Sequence, residues 1–207
     1  MFYNHRLSRL PFKRYMARPR EFDEDTALEQ ALITFWQNGY EGTSLINLLE
    51  ATGLTKSSLY AAFGNKESLF HKVVERYERN YLAFRLEAFA QPTPRQIVEH
   101  LLLGMVDLHI NESTPHGCLV MNGGVACSLA GEPIREQLCA TRALTRKALC
   151  QRFEALKSGL PAGMSADQAA FFVATLIHGM AVQAKSGASR KDLLSLVKSA
   201  MLAWPEG

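Results

Sequence analysis

Apolar positions along this chain recur every three or four residues, and no stretch after residue 22 alternates as a half-buried strand would. Leu28, Ala31, Leu32 and Phe35 form one such stripe. Asp23 is a suitable N-cap for it, Glu24 and Asp25 suit the positive end of the helix dipole, and Gly39 stops it after Asn38. Ser44 caps a short helix with Leu45, Leu48 and Leu49 inward, ended by Gly53. Thr55 caps another, which buries Leu59 and Phe63 and ends at Gly64. Asn65 then opens a long helix carrying Leu69, Phe70, Val73, Val74, Tyr77 and Tyr81. Helices of about two turns are not stable alone, so these short elements must share one core.

The later chain keeps the same periodicity. Thr93 and Pro94 start a helix to about Asn111, followed by a loop over Glu112–Gly117. A shorter, glycine-containing helix is predicted over 118–129, and a long one from Pro133 to about Lys157 with Ile134, Leu138, Leu144, Leu149, Phe153 and Leu156 apolar. Ser165 with Gln168 forms a capping box for a helix to about Ala184. Ser189 with Asp192 opens the last helix, which ends before Pro205. The expectation is an all-α fold of about nine helices.

Composition narrows the class. Of 207 residues, 47% are hydrophobic and 21% charged, which excludes disordered, collagenous and low-complexity chains. No apolar run reaches the roughly 18–20 residues of a membrane span, and no apolar segment follows the basic N-terminus as in a secretory signal. A cytoplasmic protein with no membrane partner is expected. Cys118, Cys127, Cys139 and Cys150 have neither zinc-site nor small-disulfide spacing, so reduced thiols are expected. His100 and His109 share a helix, but no acid or thiol partner is placed beside them; no metal and no cofactor is expected. Residues 1–20 carry six basic groups and no acid, while the rest has a net charge of −3. A basic arm on a mildly acidic body suits nucleic acid, and equally a solvated leader.

The stretch Gly42–Leu69 is the most informative. Two short helices separated by a tight glycine-containing turn form a helix-turn-helix arrangement, whose second helix can enter a major groove. That helix begins Lys56-Ser57-Ser58, followed by Tyr60. Lysine can donate to guanine edges, serine can pair with any base, and the Tyr60 hydroxyl can reach a phosphate. Thr43, Ser44 and Lys66 sit at helix N-termini, where free backbone N–H groups favour phosphate. The same spacing also suits an ordinary helical hairpin in which Ser and Thr are only caps. Residues 16–72 hold five basic against eight acidic groups, so the charge of this region as a whole does not decide the matter.

These residues resemble a known family. GTSL-x(7)-GLTKSSLYAAFGNKESLF, preceded by ARPREFDEDTALEQALITFWQNGYEGTS, is similar to the DNA-binding domain of TetR-family transcriptional regulators. The resemblance covers residues 16–72. It implies a three-helix DNA-binding domain joined by its fourth helix to an all-α effector-binding and dimerisation domain over 73–207. It also implies a homodimer on an inverted-repeat double-stranded operator, usually a repressor released by a small-molecule effector. By position, Lys56, Ser57 and Ser58 would face bases, Ala62 a thymine methyl, and Thr43, Tyr60 and Lys66 phosphates. GCLVMN and IHGMAVQAKSGASRKDLL resemble one branch of the family more weakly. Residues 1–15 depart from it, being either an added basic arm or the result of a start assigned upstream of the natural one. Arg18-Pro19-Arg20 is held extended by Pro19, which suits a minor-groove arm or a plain flexible terminus.

The last two helices are apolar nearly all round, which implies burial on several sides. Phe171, Ala174, Gly179, Met180, Leu194, Val197 and Met201 are the candidates for a dimer face, the alternative being a core within one chain. An effector pocket is expected among the helices of 94–184, with His109, Cys118, Met121, Asn122, Cys127, Phe153 and His178 as candidates, each of which also suits a core or surface role. Cys118, next to His116 at a helix start, is placed for a lowered thiol pKa and reversible modification; a small inert residue is the other reading. No G-x-S-x-G, HExxH or phosphate-cradling glycine loop occurs, so no enzyme is expected. A helical enzyme or adaptor using the C-terminal cavity without DNA is the alternative function.

Overall fold

Seven of the expected helix starts carry a side-chain cap in the computed structural model, which describes residues 23–122 and 131–205. Ten α-helices are present among these residues: α1 (Glu24–Gly42), α2 (Leu45–Thr52), α3 (Lys56–Phe63), α4 (Lys66–Asn80), α5 (Phe84–Ala90), α6 (Pro94–His109), α7 (Leu119–Asn122), α8 (Glu132–Ala155), α9 (Ala166–Lys185) and α10 (Arg190–Met201). There is no strand among them. Asp23, Ser44, Thr55, Asn65, Thr93, Ser165 and Ser189 each accept a backbone N–H from the first turn that follows. Each thereby satisfies a donor that the helix itself cannot. Within α1, Gly39 has φ +74°, so the regular helix ends there and Tyr40–Gly42 form a further turn. The leader, Arg18, Arg20, Cys127, the end of the expected 118–129 helix and the side chain of Asn122 lie outside the described residues.

One element departs from expectation. The long helix opened by Asn65 stops at Asn80, and α5 starts afresh after a turn at Tyr81–Ala83. Neither proline nor glycine marks this break. Its reason is tertiary: α5 folds back on α6, where the Phe84 ring fills the space above Gly104. A Cβ on Gly104 would lie 2.3 Å from that ring.

The α1–α4 segment closes its own core from Ala31, Leu32, Phe35, Leu48, Leu59, Phe63, Leu69, Phe70 and Val73, all buried. Phe35 and Tyr40 pack edge-to-face on Phe70 with centroids 5.0 Å away. The remaining helices pack as a bundle in which α6 meets α5, α9 and α10, and α8 lies along α9. The apolar stripe of α8 is not quite the expected one. Leu138, Leu149 and Phe153 are buried but Leu144 is 64% exposed, and Thr141 takes an inward position.

Candidate nucleic-acid interface and effector cavity

Gly53 ends α2 in the left-handed region, φ +66°, where a side chain would be strained. Thr55 then restarts the chain as α3. Leu59 and Phe63, one turn apart, face the core, which leaves Lys56, Ser57 and Tyr60 exposed on the other side. Ser58 and Ala62 are half-buried at its margins. The Thr55 hydroxyl lies 3.0 Å from those of both Ser57 and Ser58, and Lys56 Nζ is 5.8 Å from the Tyr60 ring centroid. Lys66, in the first turn of α4, lays its ammonium 4.4 Å over the Tyr40 ring. Partial burial there pulls its pKa down, and Glu41 opposes the shift. The exposed Ser44 caps α2, its hydroxyl 2.7 Å from Asn47 Oδ1.

Thr43 departs from expectation. It is fully buried, and its hydroxyl donates to the Gly39 carbonyl at 2.7 Å, so its side chain is not displayed to a phosphate. Ile46, in the first turn of α2, is 65% exposed and was not a sequence candidate; its position off the Leu45-Leu48-Leu49 stripe is the signal for it.

A small cavity of about 40 Å³ lies among α5, α6, α7, α8 and α9, with Leu82 of the turn before α5. Of the candidate pocket residues, Cys118, Met121 and His178 line it. His109 and Phe153 do not. Phe153 is buried in the core against Trp204, and His109 turns its Nδ1 to the Gly117 carbonyl at 3.2 Å. Sequence reasoning missed Arg85, Arg142, Thr141 and Thr145, which supply most of the polar lining. A signal was available on α8, where Thr141 and Thr145 fall on the Leu138–Leu149 face and interrupt it.

Of the two readings of Cys118, the electrostatics favour the inert one. The Val120 and Met121 amides and the Tyr77 hydroxyl, 3.4 Å away, favour its thiolate, but burial outweighs them and pushes the pKa up. Burial also raises the Tyr77 phenol well above its ordinary value. The same desolvation pushes His109 down to about 4 and lowers His178, whose shift the Arg142 charge reinforces. Both imidazoles are therefore neutral at pH 7.

The cavity wall is continuous with α1. Tyr77 packs edge-to-face on Trp36 at 4.9 Å, and Trp36 Nε1 donates to the Gly117 carbonyl at 3.2 Å. Around this contact Arg76 bonds Glu29 at 2.5 Å and Asp25 at 2.9 Å, Tyr81 donates to Glu29, and Lys185 of α9 donates to the Gln37 carbonyl at 2.8 Å.

Of the expected dimer face, Ala174, Met180, Val197 and Met201 are buried within this chain. Leu194 borders an open groove between α6 and α10, and Phe171 is exposed beneath the Arg146 guanidinium at 4.7 Å. Gly179 is exposed in a groove between α9 and α10 that Phe172, Leu176 and Leu196 also line. On a helix apolar all round, the stripe left for a partner is decided by which residues the rest of the chain covers.

Residues 27–73 match the family model for bacterial regulatory proteins of the tetR family. The chain is 32% identical over 200 residues to the HTH-type transcriptional repressor ComR of Escherichia coli (strain K12), covering 94% of each protein. Among solved structures, it resembles a cysteine mutant of the TetR family transcriptional regulator CifR complexed with 26-bp double-strand operator DNA. That match has 37% identity, a TM-score of 0.85, and covers 91% of this chain and 100% of that one. The reduced form of E. coli NemR shares the fold at 21% identity and a TM-score of 0.70, covering 88% of this chain and 98% of that one.

Proposed function

The chain belongs to the TetR family of bacterial transcriptional regulators, and from that premise we propose that it is a cytoplasmic, non-enzymatic repressor that binds an inverted-repeat operator as a homodimer and leaves it when an effector fills the α5–α9 cavity. The observation that carries the DNA-binding part is the free start of α3, with Lys56, Ser57 and Tyr60 exposed over a closed core. In the reading proposed here, Lys56 and the serines meet base edges in the major groove while Ser44, Tyr60 and Lys66 hold phosphates. The groove formed by Phe172, Leu176, Gly179 and Leu196 takes the same groove of a second copy, as a two-fold interface requires.

Release follows from the position of the cavity. Its walls include Cys118, which touches Tyr77, and Tyr77 packs on Trp36 of α1. A ligand that widens the cavity moves α4 against α1 and changes the separation of the two recognition helices. It works only by preferring the conformation that does not fit DNA.

The test is a gel shift of the full chain against the DNA upstream of its own gene, with random DNA as competitor. Retention of the upstream fragment at competitor levels that remove non-specific binding is expected. Equal affinity for the two would sink the reading. No observation here favours turnover of a small molecule over DNA binding.

A further inference from the structure

We propose that the cavity beside Cys118 is an anion site and that its effector is a short-chain carboxylate. This rests on the reading of that cavity as the effector site and adds the chemistry of its ligand.

Two guanidiniums, Arg85 and Arg142, line the cavity, and no carboxylate lines it among the described residues. Arg85 is largely buried. Its Nη1 donates to Thr145 at 2.9 Å and its Nε to the Leu82 carbonyl at 3.3 Å, and it pairs with Glu78 at 3.9 Å, outside the cavity lining. Arg142, half-buried, donates to the Val120 carbonyl and to Cys139 Sγ, each at 2.9 Å. Two guanidiniums that face one cavity with no carboxylate in its lining make it favourable for an anion. His178 adds an imidazole N–H that can donate to the same anion.

Shape selects the kind of anion. A water needs roughly 10–15 Å³ of such space, whereas drug-sized ligands occupy at least ~300 Å³. The volume of about 40 Å³ therefore admits a group of a few heavy atoms. A planar carboxylate matches the guanidinium fork, and Leu82, Met105 and Ile177 provide an apolar wall for a short alkyl tail. A tetrahedral inorganic anion would leave that wall unused.

The test titrates acetate, propionate, butyrate and inorganic phosphate into the full chain, with the neutral isostere propionamide alongside. Calorimetry and tryptophan emission are the readouts, and operator release is scored separately by gel shift. Propionate is expected to bind at least about tenfold more tightly than propionamide, a comparison that needs no variant. Arg142→Gln should weaken propionate by a similar factor, with its melting temperature recorded to exclude unfolding. Equal binding of acid and amide, phosphate binding in preference to all three carboxylates, or no saturable binding up to about 50 mM would each overturn the proposal. Release of operator by acid and amide alike would overturn the anion class and leave the effector-site reading standing. Propionate binding by a chain that ignores its upstream DNA would support the site and sink the regulator reading.

Discussion

The indole N–H of Trp36 donates to the carbonyl oxygen of Gly117 across 81 residues of sequence, at 3.2 Å. The same carbonyl accepts from His109 Nδ1, also at 3.2 Å, so a single oxygen holds α1, the end of α6 and the loop before α7 together. Gly117 has φ +87°, a conformation in which a side chain would be strained, and its own N–H returns to the His109 carbonyl at 3.1 Å. Loss of the indole donor removes this link between α1 and the loop before α7. Trp36→Phe is expected to cost about 1–3 kcal/mol in urea unfolding and to reduce effector-driven release more than operator affinity. Unchanged release in this variant, measured by gel shift across an effector titration, would show that coupling runs elsewhere.

The two lysines of the DNA face should separate by role. If Lys56 takes the base-reading role proposed for it, Lys56→Ala costs roughly 1–3 kcal/mol on the operator and little on random DNA. Lys66→Ala should weaken every sequence alike and flatten the salt dependence by the contribution of one phosphate contact. Affinities of both variants on both DNAs, at several salt concentrations, check the assignment.

Acid should destabilise the fold through His109. Its folded pKa is pushed from 6.5 to about 4, so as pH falls the unfolded chain takes up the proton first. Stability present above the ordinary value is then lost between 6.5 and about 4. Between pH 7 and pH 5 this one group should cost roughly 2 kcal/mol. His109→Gln should remove that part of the pH dependence. Parallel urea titrations at the two pH values, wild type against variant, measure it.

Gly104→Ala tests the unexpected break before α5. A methyl there meets the Phe84 ring at 2.3 Å, and overpacking of this kind costs about 1–3 kcal/mol, against roughly 0.5–1 kcal/mol gained in helix propensity. Net destabilisation is expected in wild type. In a Phe84→Ala background the same change should become neutral or stabilising, and a double-mutant cycle reads the coupling.

Gly179 offers a clean test of the dimer face. A Cβ added there meets nothing within 4 Å in this chain, so Gly179→Arg should leave the protomer folded. It should nevertheless split a dimer that uses the α9–α10 groove and abolish tight operator binding. Light scattering together with far-UV circular dichroism would distinguish a folded monomer from an unfolded chain; a folded dimer would move the interface elsewhere.

The all-helical class and most helix boundaries were legible in the sequence because caps act locally. Ser165 with Gln168, or Thr93 before Pro94, satisfies orphan N–H groups within one turn, whatever the rest of the chain does. The exposed start of α3 was legible for the same reason, since Leu59 and Phe63 alone orient an eight-residue helix. What depended on distant packing was not. The break between α4 and α5 carries no local signal, because its cause is a ring on Gly104 some 20 residues later. Thr43 reads as a polar helix-start residue, yet the fold encloses it and spends its hydroxyl on Gly39. Cys118 has the amides of a helix start, but burial, a property of the assembled core, reverses the sign of its shift. Arg85 and Arg142 are more than fifty residues apart in sequence and face one cavity only because the start of α5 packs beside α8, where Arg85 bonds Thr145, a juxtaposition that no periodicity along one helix encodes.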